Sequence, residues 1–156
     1  MTTVTRTTTT ITRASTETPR RTTPARGWLL TLGWLLLAFA ILGLIPFMQD
    51  LAHDFGVHIE AGQDLLHWAL GIGALVAAYA LRNQLWLAAT TIAFGAVLIV
   101  IGFIGLVNSS VGYWHAGVGD SVAHLLLGTI TLLVGIVSLN RERDYERRNV
   151  NVVRTT

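Results

Sequence analysis

The chain has no cysteine and no lysine, and its 156 residues include only three prolines. Without cysteine there is no disulfide, thiol relay, Fe–S cluster or cysteine-ligated zinc, which removes thiol redox enzymes and zinc-finger modules together. Charge is also scarce: 13% of residues are charged against 52% hydrophobic, too apolar a balance for an ordinary soluble domain. Neither a Walker nor a dinucleotide glycine pattern occurs, and no nucleophile is paired with a base inside an apolar segment.

What the chain does have is four long apolar runs. Trp28 to Ile45 is 18 residues, Leu65 to Leu81 is 17, Leu85 to Val107 is 23 and Val122 to Leu139 is 18, none containing Asp, Glu, Arg or Lys. At about 1.5 Å per helical residue these cover about 25–35 Å, against roughly 30 Å of bilayer hydrocarbon, so each run is long enough to span. The helices of a soluble bundle carry charged outer stripes, and these carry none. The expected fold class is therefore an all-α membrane protein of four transmembrane helices. Its domain plan is a Thr- and Arg-rich tail (1–26), a membrane domain (27–140) and a basic tail (141–156).

The charges fix an expected orientation. All 11 basic residues are Arg: five precede Trp28, Arg82 stands alone between the second and third runs, and five follow Leu139. The two remaining loops hold Asp50, Asp54, Glu60, Asp64 and Asp120 and no Arg. By the positive-inside rule both termini are cytoplasmic and both longer loops face outward, in the cytoplasmic (inner) membrane of a bacterium. This separation also explains the high isoelectric point without nucleic acid. Arg-rich segments beside a membrane hold topology and attract anionic lipid.

Taken in order, residues 1–26 offer little to bury, and disorder is the expectation. With no small-residue cleavage pattern after it, the first run reads as an uncleaved signal-anchor rather than a removed signal peptide. Trp28 is expected at the inner interface. From Pro46 to Gly56 apolar and polar residues alternate at helical spacing, the pattern of a short helix lying on the outer surface. Arg82-Asn83-Gln84 reads as a tight inner turn, and Asn108 to Gly119 as a glycine-rich outer loop with Tyr113 and Trp114 as interfacial anchors. After Asn140 the charge pairs are poorly matched, so the helix is expected to fray.

Two stretches echo each other: Asp64-Leu-Leu-His67-Trp-Ala-Leu-Gly71 and Ser121-Val-Ala-His124-Leu-Leu-Leu-Gly128. Gly43-Leu44 and Gly105-Leu106 end the two outward-going runs, and these stretches begin the two returning ones. The pattern is that of two parallel-duplicated helical hairpins about an axis along the membrane normal. Gly95, Gly102 and Gly105, with Gly71 and Gly128, are the expected helix-packing positions.

On these residues, over roughly 27–140, the chain resembles a bacterial four-helix integral membrane family known as domain-of-unknown-function family 4383. That family often carries an asparagine where this chain has Asp64. The resemblance implies the fold and topology above. It implies no activity, cofactor or mechanism.

All five histidines (His53, His58, His67, His115 and His124) fall on the expected outer side, together with the outer acids. His67, His124, Asp64 and Asp120 are accordingly the candidate ligands of a divalent metal, and the two histidines alone are candidate axial ligands of a haem or chlorophyll-type macrocycle. The simpler reading makes Asp64 and Ser121 helix N-caps, the histidines hydrogen-bonding groups, and the glycines clearance for close packing. On that reading no cofactor is expected. The inner half holds no histidine, which argues against haems on opposite sides. The function expected from sequence is a small, non-enzymatic membrane protein, either standing alone in the envelope or packed against itself or a larger membrane complex as an accessory subunit. A histidine-based cofactor or metal module is the alternative, and a small ion or proton pathway a second one.

Overall fold

The computed structural model describes residues 23–45, 61–108, 110–111, 114–115 and 117–155. Among the described residues four helices carry the fold: α1 (Pro24–Leu42), α2 (Ala61–Ala80), α3 (Gln84–Val107) and α4 (Val118–Thr155). Between α3 and α4 the chain forms a minimal antiparallel ladder of β1 (Ser110–Val111) and β2 (Trp114–His115), with Ser110 opposite His115 and Val111 opposite Trp114. The surface helix expected from Pro46 to Gly56, with His53 and His58, lies outside the described residues, as does the tail 1–22.

α1, α3 and α4 are each long and apolar enough to cross a membrane, and α2 is apolar over a shorter stretch from Asp64 to Ala80. Trp34, Phe39, Val76, Phe103, Val107 and Leu126 are among the large apolar side chains left exposed. In water so many would mark an aggregating surface; against lipid they are the appropriate exterior. This is the build of a membrane protein.

The helices pair as α1 with α2 and α3 with α4, whereas α2 and α3, although joined by residues 81–83, touch only sparsely. Each pair meets through glycine. In the first, a Cβ on Gly33 would lie 2.7 Å from the Leu75 side chain and 3.0 Å from the Gly71 carbonyl, and one on Gly71 would meet Leu37 at 2.9 Å. In the second, a Cβ on Gly95 would lie 2.5 Å from the Leu132 backbone nitrogen and 2.9 Å from the Gly128 carbonyl, and one on Gly128 would meet Ile99. The contacts correspond position for position: Gly33, Leu37, Gly71 and Leu75 in one pair play the parts of Gly95, Ile99, Gly128 and Leu132 in the other. The buried faces correspond as well, with Ala25, Leu29, Gly33, Leu36 and Ala40 matching Leu87, Thr91, Gly95, Leu98 and Gly102 at the same spacings.

Several boundaries differ from expectation. α1 begins at Pro24 rather than Trp28, because Pro fits the first helical turn and the turn is anchored from outside. There Arg26 donates from Nη2 to the Leu81 carbonyl at 2.6 Å and from Nη1 to the Ala78 carbonyl, satisfying acceptors that the end of α2 leaves without helical partners. The Thr23 hydroxyl donates to Gln84 Oε1 at 2.5 Å. Trp28 lies one turn into α1, and its Nε1 donates to the Thr131 hydroxyl on α4 at 2.9 Å, linking the two helix pairs. α3 starts where expected, with Asn83 Oδ1 accepting from the Leu85 and Trp86 amides. α4 does not fray after Asn140 but continues to Thr155, 38 residues or about 57 Å. No Gly or Pro interrupts it after Gly135, and Arg and Glu are good helix formers whatever their pairing.

Besides hydrocarbon the buried interior holds Asp120 and four hydroxyl residues, Thr91, Ser121, Thr131 and Ser138, and the hydroxyls are paired. Thr91, Thr131 and Ser138 are buried, and each donates to the carbonyl four residues earlier in its own helix.

The crossings and the tryptophan set the expected responses to substitution. Gly128→Ala should destabilise the detergent-solubilised protein by about 1–3 kcal/mol through overpacking against backbone. Gly27→Ala, with nothing within 4 Å, should be neutral or slightly stabilising in the same denaturation assay. Trp28→Phe, which keeps the ring but loses the donor, should cost about 0.6–1.7 kcal/mol.

Candidate functional site

Both histidines of the echoed motif are the seventh residue of their helix, His67 in α2 and His124 in α4. Each helix crosses its partner at the glycine one turn below, so the two histidines stand at the same height above their own crossings. The docking of the two pairs then brings the rings together: their centres are 5.8 Å apart and their planes within 9° of parallel. Phe39 of α1 also lies against His67, at 6.1 Å between ring centres and a 34° tilt.

The hydrogen bonding of His124 identifies its tautomer. Its Nδ1 is 2.7 Å from the Asp120 carbonyl oxygen, which only accepts, so Nδ1 carries the proton and donates. In the neutral ring Nε2 is then left with a lone pair. Asp120 itself is buried at 5% exposure, and its Oδ2 accepts from the Gly117 amide at 3.2 Å. That bond is the reciprocal half of a capping box, in which the third helical residue reaches back to the amide preceding the helix. Asp120 is thus held by its own helix end.

The expected N-caps are corrected. Asp64 and Ser121 are each the fourth residue of their helix, because α2 begins at Ala61 and α4 at Val118. A cap sits before the first turn, and both side chains lie inside it. Ser121 donates instead to the Gly117 carbonyl at 3.0 Å, and its own carbonyl lies where a Cβ on Gly102 would reach, at 2.7 Å.

Asp64 is one turn above His67 on the same helix and packs against Gly43 at the end of α1 so closely that a Cβ there would overlap its carboxylate. Its Oδ1 is buried and receives no hydrogen bond from the described residues. An unpaired buried carboxylate oxygen is costly, more so beside hydrocarbon, and marks a place where a cation, a proton or a water belongs.

The structure therefore brings His67 and His124 together and sets Asp64 one turn from His67, but it does not gather all four candidates around one point. Among the described residues, no three His, Asp or Glu side chains are close enough to hold a metal ion jointly. Gly71, Gly128, Gly95 and Gly102 sit at the helix crossings, and Gly105 is buried on α3. Sequence reasoning missed Gly33 and Phe39, and read Gly43 only as the end of the first run. The spacing of Gly33 to Leu37, repeated in Gly95 to Ile99, was the available signal for the first. A shallow groove of about 470 Å³ on α2 is lined by Ile72, Leu75, Val76, Tyr79 and Ala80 and includes neither histidine.

The contact between Gly43 and Asp64 yields a coupling prediction. Gly43→Ala should be clearly destabilising in the native background and much less so alongside Asp64→Ala, a non-additivity read from a double-mutant cycle of denaturation midpoints. No family model, no curated protein and no solved structure matches the chain.

Proposed function

We propose that this is a small, non-enzymatic inner-membrane protein whose four helices all span, built as a duplicated helical hairpin and acting as a structural or accessory subunit of a membrane assembly. One observation carries this reading: the same glycine crossing, with the same flanking leucine or isoleucine positions, is made once in each helix pair. Resemblance to the four-helix family of unknown function supports the same plan. The wide apolar exterior, which no described segment covers, supports packing against lipid or other membrane helices. The arginine distribution supports cytoplasmic termini, with the α3–α4 connection outside.

A second reading is favoured by the ring contact. Two imidazoles meeting across the helix pairs, with an unpaired carboxylate oxygen one turn from His67, are groups that a ligand site can use. The ion-pathway reading has no comparable observation behind it.

Because the chain has no cysteine of its own, orientation can be tested with single introduced thiols. Asn108→Cys should react with a membrane-impermeant maleimide in intact cells, and Asn140→Cys only after permeabilisation. The opposite pattern would overturn the topology, and labelling of both in intact cells would overturn the four-span reading. For the assembly role, the mildly solubilised protein should migrate on native gels in a discrete larger complex. Migration as a lone chain at all detergent strengths would exclude it.

A further inference from the structure

We infer that the first helix pair holds one anionic diacyl phospholipid, with an acyl chain in the groove along α2 and the phosphate at Arg82 and Arg26. The inference goes beyond the proposed role and needs only that the protein sits in lipid. Three observations carry it. The first is the groove itself: its side chains, Ile72, Leu75, Val76, Tyr79 and Ala80, are hydrocarbon apart from one phenol hydroxyl, and they follow α2 for about 12 Å. Ile72, Val76 and Tyr79 are exposed, so the groove opens away from the core. The second is charge at its end. The Arg26 guanidinium is held against the carbonyls of Ala78 and Leu81, which bracket the last two lining residues, and the exposed Arg82 follows directly. The third is a pair of exposed aromatics, Tyr79 and Trp86, on either side of the connection at 81–83. Such residues stand at the level of the lipid headgroups, so the arginines lie at phosphate depth.

The combination selects the ligand. An acyl chain by itself gains little in leaving the bilayer for the groove, because both are hydrocarbon. Discrimination therefore comes from the headgroup. Arg26 spends its bonds on neutral carbonyls, which fix the guanidinium in place and leave its positive charge to act on its surroundings. A phosphodiester facing two guanidiniums makes charge-assisted hydrogen bonds, and the Tyr79 hydroxyl is a further donor beside them. A choline headgroup would bring its own cation next to the arginines and lose that advantage. The groove in turn holds the lipid beside the charge, which a soluble phosphate ester cannot exploit. The proposed topology puts this end of the bundle on the cytoplasmic side, where basic residues between membrane helices meet anionic lipid.

The test uses the full chain in mild detergent, with retained lipid counted by native mass spectrometry. Phosphatidylglycerol and phosphatidylcholine of the same acyl chains are titrated separately, and soluble glycerol 3-phosphate is added as a competitor. One phosphatidylglycerol per chain is expected, bound about ten-fold or more tighter than phosphatidylcholine, with a raised unfolding temperature and no displacement by the competitor. Arg82→Gln should weaken phosphatidylglycerol about five-fold and leave phosphatidylcholine unchanged, the effect of one arginine beside a phosphate. Val76→Trp, which fills the groove, should weaken both lipids alike. Arg26 also closes the end of α2 and is left in place. Both variants change exposed side chains, and matched helical circular dichroism verifies their fold. Arg141→Gln/Arg143→Gln/Arg147→Gln, which removes exposed charge from the far part of α4, should bind as the native chain does.

Equal binding of the two lipids by the native chain overturns the anionic selection. Native binding by both Arg82→Gln and Val76→Trp overturns the site, and loss of the preference in the α4 variant moves it to that helix, overturning it as well. Displacement by glycerol 3-phosphate shows that the phosphate alone is recognised and overturns the groove's part. Because the measurement depends on neither orientation nor assembly, its failure leaves the proposed topology and role standing.

Discussion

Everything in this molecule depends on how closely two helix backbones approach at a glycine. At the Gly95–Gly128 crossing a single added methyl group would run into main-chain nitrogen and carbonyl oxygen, atoms that no side-chain rotation can move aside. Lipid offers no hydrophobic force to drive helices together, so association rests on dispersion contacts and on the few polar links that short separation allows. The first helix pair uses the same crossing with looser neighbours: a Cβ on Gly33 or Gly71 would meet a leucine side chain first and the opposite glycine's carbonyl at 3.0 or 3.1 Å. Alanines at 40 and 78 stand where the second pair has Gly102 and Gly135. That substitution in chemistry, small for smaller, fits the greater intimacy of α3 with α4.

Once the pairs are set, polar groups decide how they join. Trp28 reaches Thr131, Thr23 reaches Gln84, and Arg26 closes the end of α2, so this end of the bundle is tied by hydrogen bonds from the start of α1. Each of these uses an acceptor or donor that the apolar surroundings would otherwise leave unmatched. The other end is joined by rings instead. His67, His124 and Phe39 meet there, and Asp64 is pressed against Gly43 with an oxygen unpaired. The two ends of the bundle thus differ in kind, hydrogen bonds joining one and ring contacts beside a buried carboxylate oxygen the other.

Much of the architecture was legible because it depends on local composition. Four uncharged runs of spanning length are a hydropathy fact, and the structure has four apolar helices in those places. The echoed histidine and glycine stretches also appear in the chain itself, at one position in each returning helix. Helix starts were less legible. α2 and α4 begin a turn before Asp64 and Ser121, since several residues there can cap and the winner depends on contacts such as Asp120 with Gly117. The continuation of α4 past Asn140 went unread because imperfect charge pairs weigh only a few tenths of a kcal/mol, less than an unbroken run of good helix formers.

The sequence by itself determined the helical class, the four apolar segments, the absence of thiol chemistry and the matching of one half to the other. All of these follow from residue type and spacing along one dimension. Tertiary structure alone decided which helices pair, that Trp28 finds a partner on α4, that Gly33 faces Gly71, and that two histidines far apart in the chain lie ring to ring. Those outcomes depend on distances between segments that only close backbone approach at the glycines makes short.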